Sequence, residues 1–204
     1  MHINLKFNEV EKILHVADVH IRNYKRHKEY RQVFRKLYKA AKALPENSII
    51  YLAGDIVHTK TDISPELVSI VSEFFNKLAN IRPTVLIAGN HDANLNNRSR
   101  LDALSPIVEN LANENLYYLR DSGIYTFANV DFIVYSVLEE TETWPDAKKS
   151  KSKNKIGLFH GAVNNSKTDA GYTVKDENLP LKTFDGCHMV MLGDIHKYQH
   201  LNKS

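Results

Sequence analysis

Ile49-Ile50-Tyr51-Leu52-Ala53-Gly54-Asp55-Ile56-Val57-His58 decides the fold. Five apolar residues run without a polar break, and a glycine, an aspartate and then a histidine follow them. Such a run, closed by a turn residue, reads as a strand buried on both faces. The carboxyl end of such a strand is where an open α/β sheet builds its site.

The same pattern recurs on both sides of this stretch. Ile13 to Ala17 leads into Asp18-Val19-His20, and Val85 to Ala88 leads into Gly89-Asn90-His91-Asp92. Met189 to Leu192 leads into Gly193-Asp194-Ile195-His196, while His160-Gly161 closes Ile156-Gly157-Leu158-Phe159. Oxygen and imidazole groups therefore stand at the ends of several predicted strands.

Between these strands the period changes to that of a helix. Tyr30, Val33, Phe34, Leu37, Tyr38, Ala41 and Leu44 share one face, and Pro45 stops the run. Ser64 reads as a cap with Pro65 at the first helical position, followed by the stripe Leu67, Ile70, Val71, Phe74, Phe75 and Leu78. That stripe reads as core, with a homodimer contact as the alternative. Strand, helix, strand, helix, strand implies parallel pairing with right-handed crossovers.

A less regular helical stretch at 101–111 precedes three short segments, 116–119, 124–127 and 132–137, separated by turn residues. They predict an antiparallel meander in a second sheet. Residues 139–155, with five lysines around Trp144-Pro145, predict an exposed and disordered loop, and 164–183 is a second polar stretch. The fold class is α/β, a two-sheet β-sandwich flanked by helices. Because the chain stops soon after its last motif, a sandwich truncated at the carboxyl terminus is expected.

Composition sets the outer bounds. At 204 residues the chain suits one domain, and its hydrophobic and charged shares, 43% and 25%, are those of a globular protein. One cysteine, Cys187, excludes an intrachain disulfide. No signal-like or membrane-spanning apolar run is present, so the protein reads as soluble and intracellular, in cytoplasm, nucleoid or nucleus. The net charge of +3 is mild but uneven. Nine lysines and arginines and one acid, Glu29, lie between Arg22 and Lys42. Most of that helix reads as a solvated face. Arg22, Lys25 and Arg26, nearest the end of the first predicted strand, are the candidates for contacts to the phosphates of a nucleic acid such as DNA, should the chain act on one.

The motifs suit two divalent ions, which can clamp the attacking and leaving oxygens of a phosphoester. Asp18 and His20, two residues apart on an extended segment, can point the same way. Asp55 follows a glycine and could bridge, and Asn90 offers an amide oxygen. His160, Asp194 and His196 would complete the two shells. His91 is more useful without a metal, contacting a phosphate oxygen and protonating the leaving alkoxide. Asp92 would then accept from its other ring nitrogen and fix the tautomer. His15 reads as a core histidine, His27, His188 and His200 as surface or structural, and Cys187 as a small core residue.

Taken together, the five motifs resemble the calcineurin-like metallophosphoesterase superfamily, from Ile13 to His196. The resemblance implies a metallophosphoesterase (nuclease) domain over residues 1–204, with carboxyl-terminal capping and partner-binding regions missing. It implies a first metal on Asp18, His20, Asp55 and His196, and a second on Asp55, Asn90, His160 and Asp194. Gly54-Asp55-Ile56-Val57-His58 resembles the SbcD-type DNA double-strand-break repair nucleases rather than the protein phosphatases. In that branch the residue matching His58 assists catalysis near the metals. Phe184-Asp185-Gly186 and Lys197-Tyr198-Gln199 resemble it too.

One position departs from the family, whose last motif usually has histidine where Asp194 stands. A third carboxylate should favour manganese or magnesium over zinc, because oxygen ligands suit the harder ions. The rival expectation is a weak second site. The leading expectation is a manganese-dependent exonuclease, with endonuclease action as an extension, in DNA repair or processing. The resemblance also implies an SbcC-type ATPase partner. The alternatives are a small-molecule phosphodiesterase or phosphatase, and a non-catalytic scaffold.

Overall fold

The computed structural model describes residues 1–97, 99–168, 170–175, 179–196 and 199. Two sheets lie face to face, with the helices on the outer side of one of them. The first sheet has four parallel strands in the order β2 (Lys12–Val16), β3 (Ser48–Ala53), β4 (Thr84–Ile87) and β5 (Leu116–Tyr118). The second has the order β1 (His2–Ile3), β6 (Gly123–Phe127), β7 (Val130–Tyr135), β8 (Asn154–His160) and β9 (Met189–Gly193).

Alternation along β3 shows how the layers form, since successive side chains point to opposite faces. Ile50 and Leu52 face the helices α1 (His27–Lys42), α2 (Pro65–Ala79) and α3 (Ser105–Leu111), in one core with Phe34, Phe74 and Leu78. Ile49, Tyr51 and Ala53 face the other sheet, in a core with Phe127, Phe132, Val134 and Leu158. Both faces are apolar, so from Ile49 to Ala53 the strand carries no polar position.

The α2 start is as read: Ser64 Oγ accepts from Leu67 N at 3.2 Å, with Pro65 opening the helix. Asp102 does the equivalent for α3, accepting from Leu104 N and Ser105 N at 2.9 and 2.8 Å. Leu67, Ile70, Val71, Phe74, Phe75 and Leu78 are all buried in the chain's own core. The stripe therefore offers no surface for the homodimer contact. No helix among the described residues is long and apolar enough to cross a membrane.

Three expectations are corrected. The segment at 116–119 does not begin a meander: β5 extends the first sheet in parallel with β4, and α3 is the crossover between them. Among the named strands of the described residues only β6 and β7 pair antiparallel, after which β8 and β9 add in parallel. Residues 139–155 are not a disordered loop. Two 3-10 turns, Thr141–Thr143 and Ala147–Lys149, bury Ala147 and Ser150 and set Trp144 edge-to-face against Phe159 at 5.4 Å. The lysines are polar decoration on a covering layer anchored from beneath. His15 is not in the core either: it is exposed on β2, stacked on Tyr51 at 5.2 Å.

Candidate metal centre

All five motifs emerge at the same edge of the sandwich, because β2, β3, β4, β8 and β9 end there. Just past β2 and β3 the chain continues as a short ladder. His20 N donates to Asp55 O at 2.9 Å, Ile21 N to Ile56 O at 2.8 Å, and His58 N to Ile21 O at 3.0 Å. Asp18, His20, Asp55 and Asp194 all have left-handed backbones, with φ of 56°, 48°, 51° and 77°. A non-glycine residue there is strained by about 1–3 kcal/mol, a cost that recurs at functional sites. Here the strain turns four potential ligand side chains toward one another.

Three sets of ligand atoms result among the described residues, the atoms of each within 4.8 Å of one another: Asp18, His20 and His196; Asp18, Asp55 and His160; and His20, His58 and His91. Asp55 stands at the junction, with Oδ2 at 3.6 Å from His20 Nε2 and 3.2 Å from His160 Nε2. Its Oδ1 accepts from His91 N at 2.8 Å. Burial would raise the Asp55 carboxyl, but the His160 imidazole and the His91 N–H outweigh it and hold it below the usual range. Asn90 Oδ1 lies 3.1 Å from His160 Nε2.

His160 is oriented from behind. Its Nδ1 lies 2.6 Å from Ala53 O, which can only accept, so that nitrogen carries a proton and Nε2 points at Asp55 and Asn90. Burial lowers the affinity of the ring for a second proton, yet the facing Asp55 pushes its pKa up to about 9. The backbone closes tightly here: a Cβ on Gly54 would meet His160 Nδ1 at 2.6 Å and Gly89 N at 2.7 Å. The site thus offers carboxylate oxygens, an amide oxygen and imidazole nitrogens at spacings suited to divalent ions. These residues fit two such ions.

Asp194 is placed beside this group, but its backbone makes the defined contact, with N donating to Asp18 Oδ1 and Oδ2 at 3.0 and 3.2 Å. Burial raises its carboxyl pKa, and the charges of Asp18 and Asp55 add to the rise. His196 Nε2 lies 3.7 Å from Asp18 Oδ1.

His91 lies over the same opening, its ring 4.7 Å from that of His20 and 5.6 Å from that of His58. Its Nδ1 donates to His58 O at 2.7 Å. Asp92 therefore does not fix the tautomer. It is fully buried and accepts from Val57 N and Gly89 N, both at 2.9 Å, which pins the β3 and β4 loops together. Burial pushes its carboxyl up to about 7 against the pull of those two donors.

Among the basic residues, Arg22 sits at the end of the short ladder beside His58, while Lys25 and Arg26 follow in the turn before α1. All three are exposed, as are Lys28, Arg31, Arg35, Lys36, Lys39 and Lys42 along the helix. His27 and His188 are structural, bonding Arg22 O and Lys155 N. Cys187 is half-buried, with Sγ 3.6 Å from Tyr135 Oη. Lys197, Tyr198 and His200 lie outside the described residues. The motif reading passed over Tyr30, whose hydroxyl donates to His20 O at 2.6 Å, and Lys60, whose Nζ donates to Asn90 O at 2.9 Å. Lys60 had one available signal, its place two residues past His58.

A family model described as calcineurin-like phosphoesterase matches residues 11–198. "Uncharacterized protein R555" of Acanthamoeba polyphaga mimivirus is 47% identical over an alignment of 208 residues that covers 96% of this chain. The chain spans about 15% of that relative's length. The crystal structure of Pseudomonas putida nuclease MPE superposes with a TM-score of 0.42 and 15% identity, over 80% of this chain and 67% of its own.

Proposed function

The chain belongs to the calcineurin-like phosphoesterase family, and from that premise we propose that it is a metal-dependent phosphodiesterase that hydrolyses DNA. The observation that carries the reading is the pair of ligand groups that share Asp18, with Asp55 between His20 and His160 and with His91 over the same opening. Asp18, His20, Asp55 and His196 would hold one ion, and Asp55, Asn90, His160 and Asp194 the other. When bound, two such ions supply Lewis acidity and neutralise charge on the phosphoryl oxygens.

The chain's own groups do the rest. His91, protonated on Nδ1 by its bond to His58 O, presents Nε2 to the substrate. As the imidazolium it donates that second proton to the leaving oxygen. His58 helps to seat the substrate beside it. Arg22, Lys25 and Arg26 offer the strand backbone a cationic track next to the centre. The SbcD-like form of the Asp55 motif, ending in His58, supports a DNA-processing nuclease with exonuclease and endonuclease action, manganese as the ion and an SbcC-type ATPase as partner.

A second reading, a small-molecule phosphodiesterase, is favoured by one feature, a cavity of about 260 Å³ beside Asp194 and His196. The test is turnover with manganese on end-labelled DNA and on bis(p-nitrophenyl) phosphate. Products from DNA that vanish with chelator support the nuclease. Hydrolysis of the small diester alone selects the second reading, and inactivity on both with metal bound defeats both.

A further inference from the structure

We propose that Arg22, His58 and Lys60 form a subsite for a second phosphate, the one next to the scissile phosphodiester on the same strand. The inference rests on the phosphodiesterase reading and states what separates a polynucleotide from a lone diester at this site.

The ladder beyond β2 and β3 sets up the first half. The Ile21–Val57 bridge and the bond from His58 N to Ile21 O, 3.0 Å, leave Arg22 and His58 as neighbours at its open end. Arg22 O accepts from His27 Nε2 at 2.8 Å, so the backbone carrying the guanidinium is held on both sides. His58 stacks on His91 at 5.6 Å with 19° between the rings. Its Nδ1 is buried and has no hydrogen-bond partner among the described residues. A buried donor or acceptor without a partner is costly, and a bound ligand is one way to satisfy it.

Lys60 supplies the second half. Its ammonium, part-buried, donates to Asn90 O at 2.9 Å, one residue from His91. An ammonium has three donors, and this bond uses one. Among the described residues no carboxylate lies within 4 Å of it. A cation drawn out of water without an acidic neighbour is poorly compensated until an anion arrives. The scissile group belongs over His91 and the ligand groups, so the anion left for Lys60 and Arg22 is the adjoining phosphate. Arginine can take it through two parallel bonds and lysine as a point charge.

The test is a substrate-dependent loss. Lys60→Met, Lys60→Arg and Arg22→Met are compared with the unaltered chain on a labelled oligodeoxynucleotide and on bis(p-nitrophenyl) phosphate, which has no second phosphate. Lys60→Met and Arg22→Met are expected to lose at least about ten-fold more in kcat/KM on the oligonucleotide than on the diester, through KM, with Lys60→Arg recovering most of it. Equal losses on both substrates would make Lys60 a support for the Asn90 loop and overturn the subsite. Arg22→Met, whose side chain is exposed, keeps the test decisive should Lys60→Met misfold. An unaltered chain that cleaves only the diester defeats the DNA reading itself. One that cleaves both, with variants that keep the same ratio, defeats the subsite alone.

Discussion

His91 Nδ1 donates to the carbonyl oxygen of His58 at 2.7 Å, so the tautomer of the one histidine is set by the backbone of the other. A carbonyl cannot donate, and the proton is thereby confined to Nδ1. His91→Asn is expected to lower kcat by about 10²–10⁴, the usual worth of a general acid. Metal affinity, measured by calorimetric titration, should change little. A parallel fall in metal binding would instead make His91 a ligand.

Asp92→Ala should act on stability first. The substitution leaves Val57 N and Gly89 N buried without their acceptor, which costs about 2–5 kcal/mol for the pair. Thermal unfolding would show it as a drop of several degrees, with Asp92→Asn recovering part. Unchanged stability with lost activity would restore the catalytic role that its position beside His91 suggested.

That reversal shows where the sequence is legible. Strand ends and candidate ligands are local: an apolar run and the motif after it point to both, as β3 and Asp55 do. The Ser64-Pro65 cap is local too. The role of Asp92 is not local, because neighbours in sequence need not face each other; His91 turns to the opening and Asp92 into the core. The place of β5 depended on pairing with β4, a long-range choice that three residues, Leu116 to Tyr118, cannot encode. The order of 139–155 rests on Trp144, Ala147 and Ser150, three anchors hidden among lysines. Lys60 carried no motif of its own, and only its bond to Asn90 O brings it to the centre.

Asp194 should govern metal choice. Its carboxylate stands where an imidazole is usual in the family and adds a third negative charge to those of Asp18 and Asp55. Asp194→His is expected to raise zinc affinity and lower manganese-supported turnover about ten-fold or more, since imidazole suits zinc and oxygen suits the harder ion. Competition titrations of the two ions against each protein would check it. Equal zinc preference before and after would remove Asp194 from the ligand set.

Metal-free stability should fall as pH rises, and bound metal should reverse the trend. The His160 ring, facing Asp55, is pushed up from 6.5 to about 9. A raised imidazole contributes stability that is full below pH 6.5 and lost as pH climbs to 9. Asp92 adds to the decline, because burial pushes it from 3.8 to about 7 and the folded state bears a growing penalty for its charge across that window. Asp55, held low, contributes stability that is lost only at acid pH. With chelator present, the unfolding midpoint at pH 9 should lie several degrees below that at pH 6, about 1–3 kcal/mol of stability. A divalent ion held by His160 would need its Nε2 free of the proton, so the stabilising effect of added manganese should widen over the same interval. A chelated midpoint that rises between pH 6 and 9 would contradict the charged His160–Asp55 pair, and a His160→Asn variant that still loses stability above pH 7 would take the slope away from that pair, since the Asp92 share is complete near there.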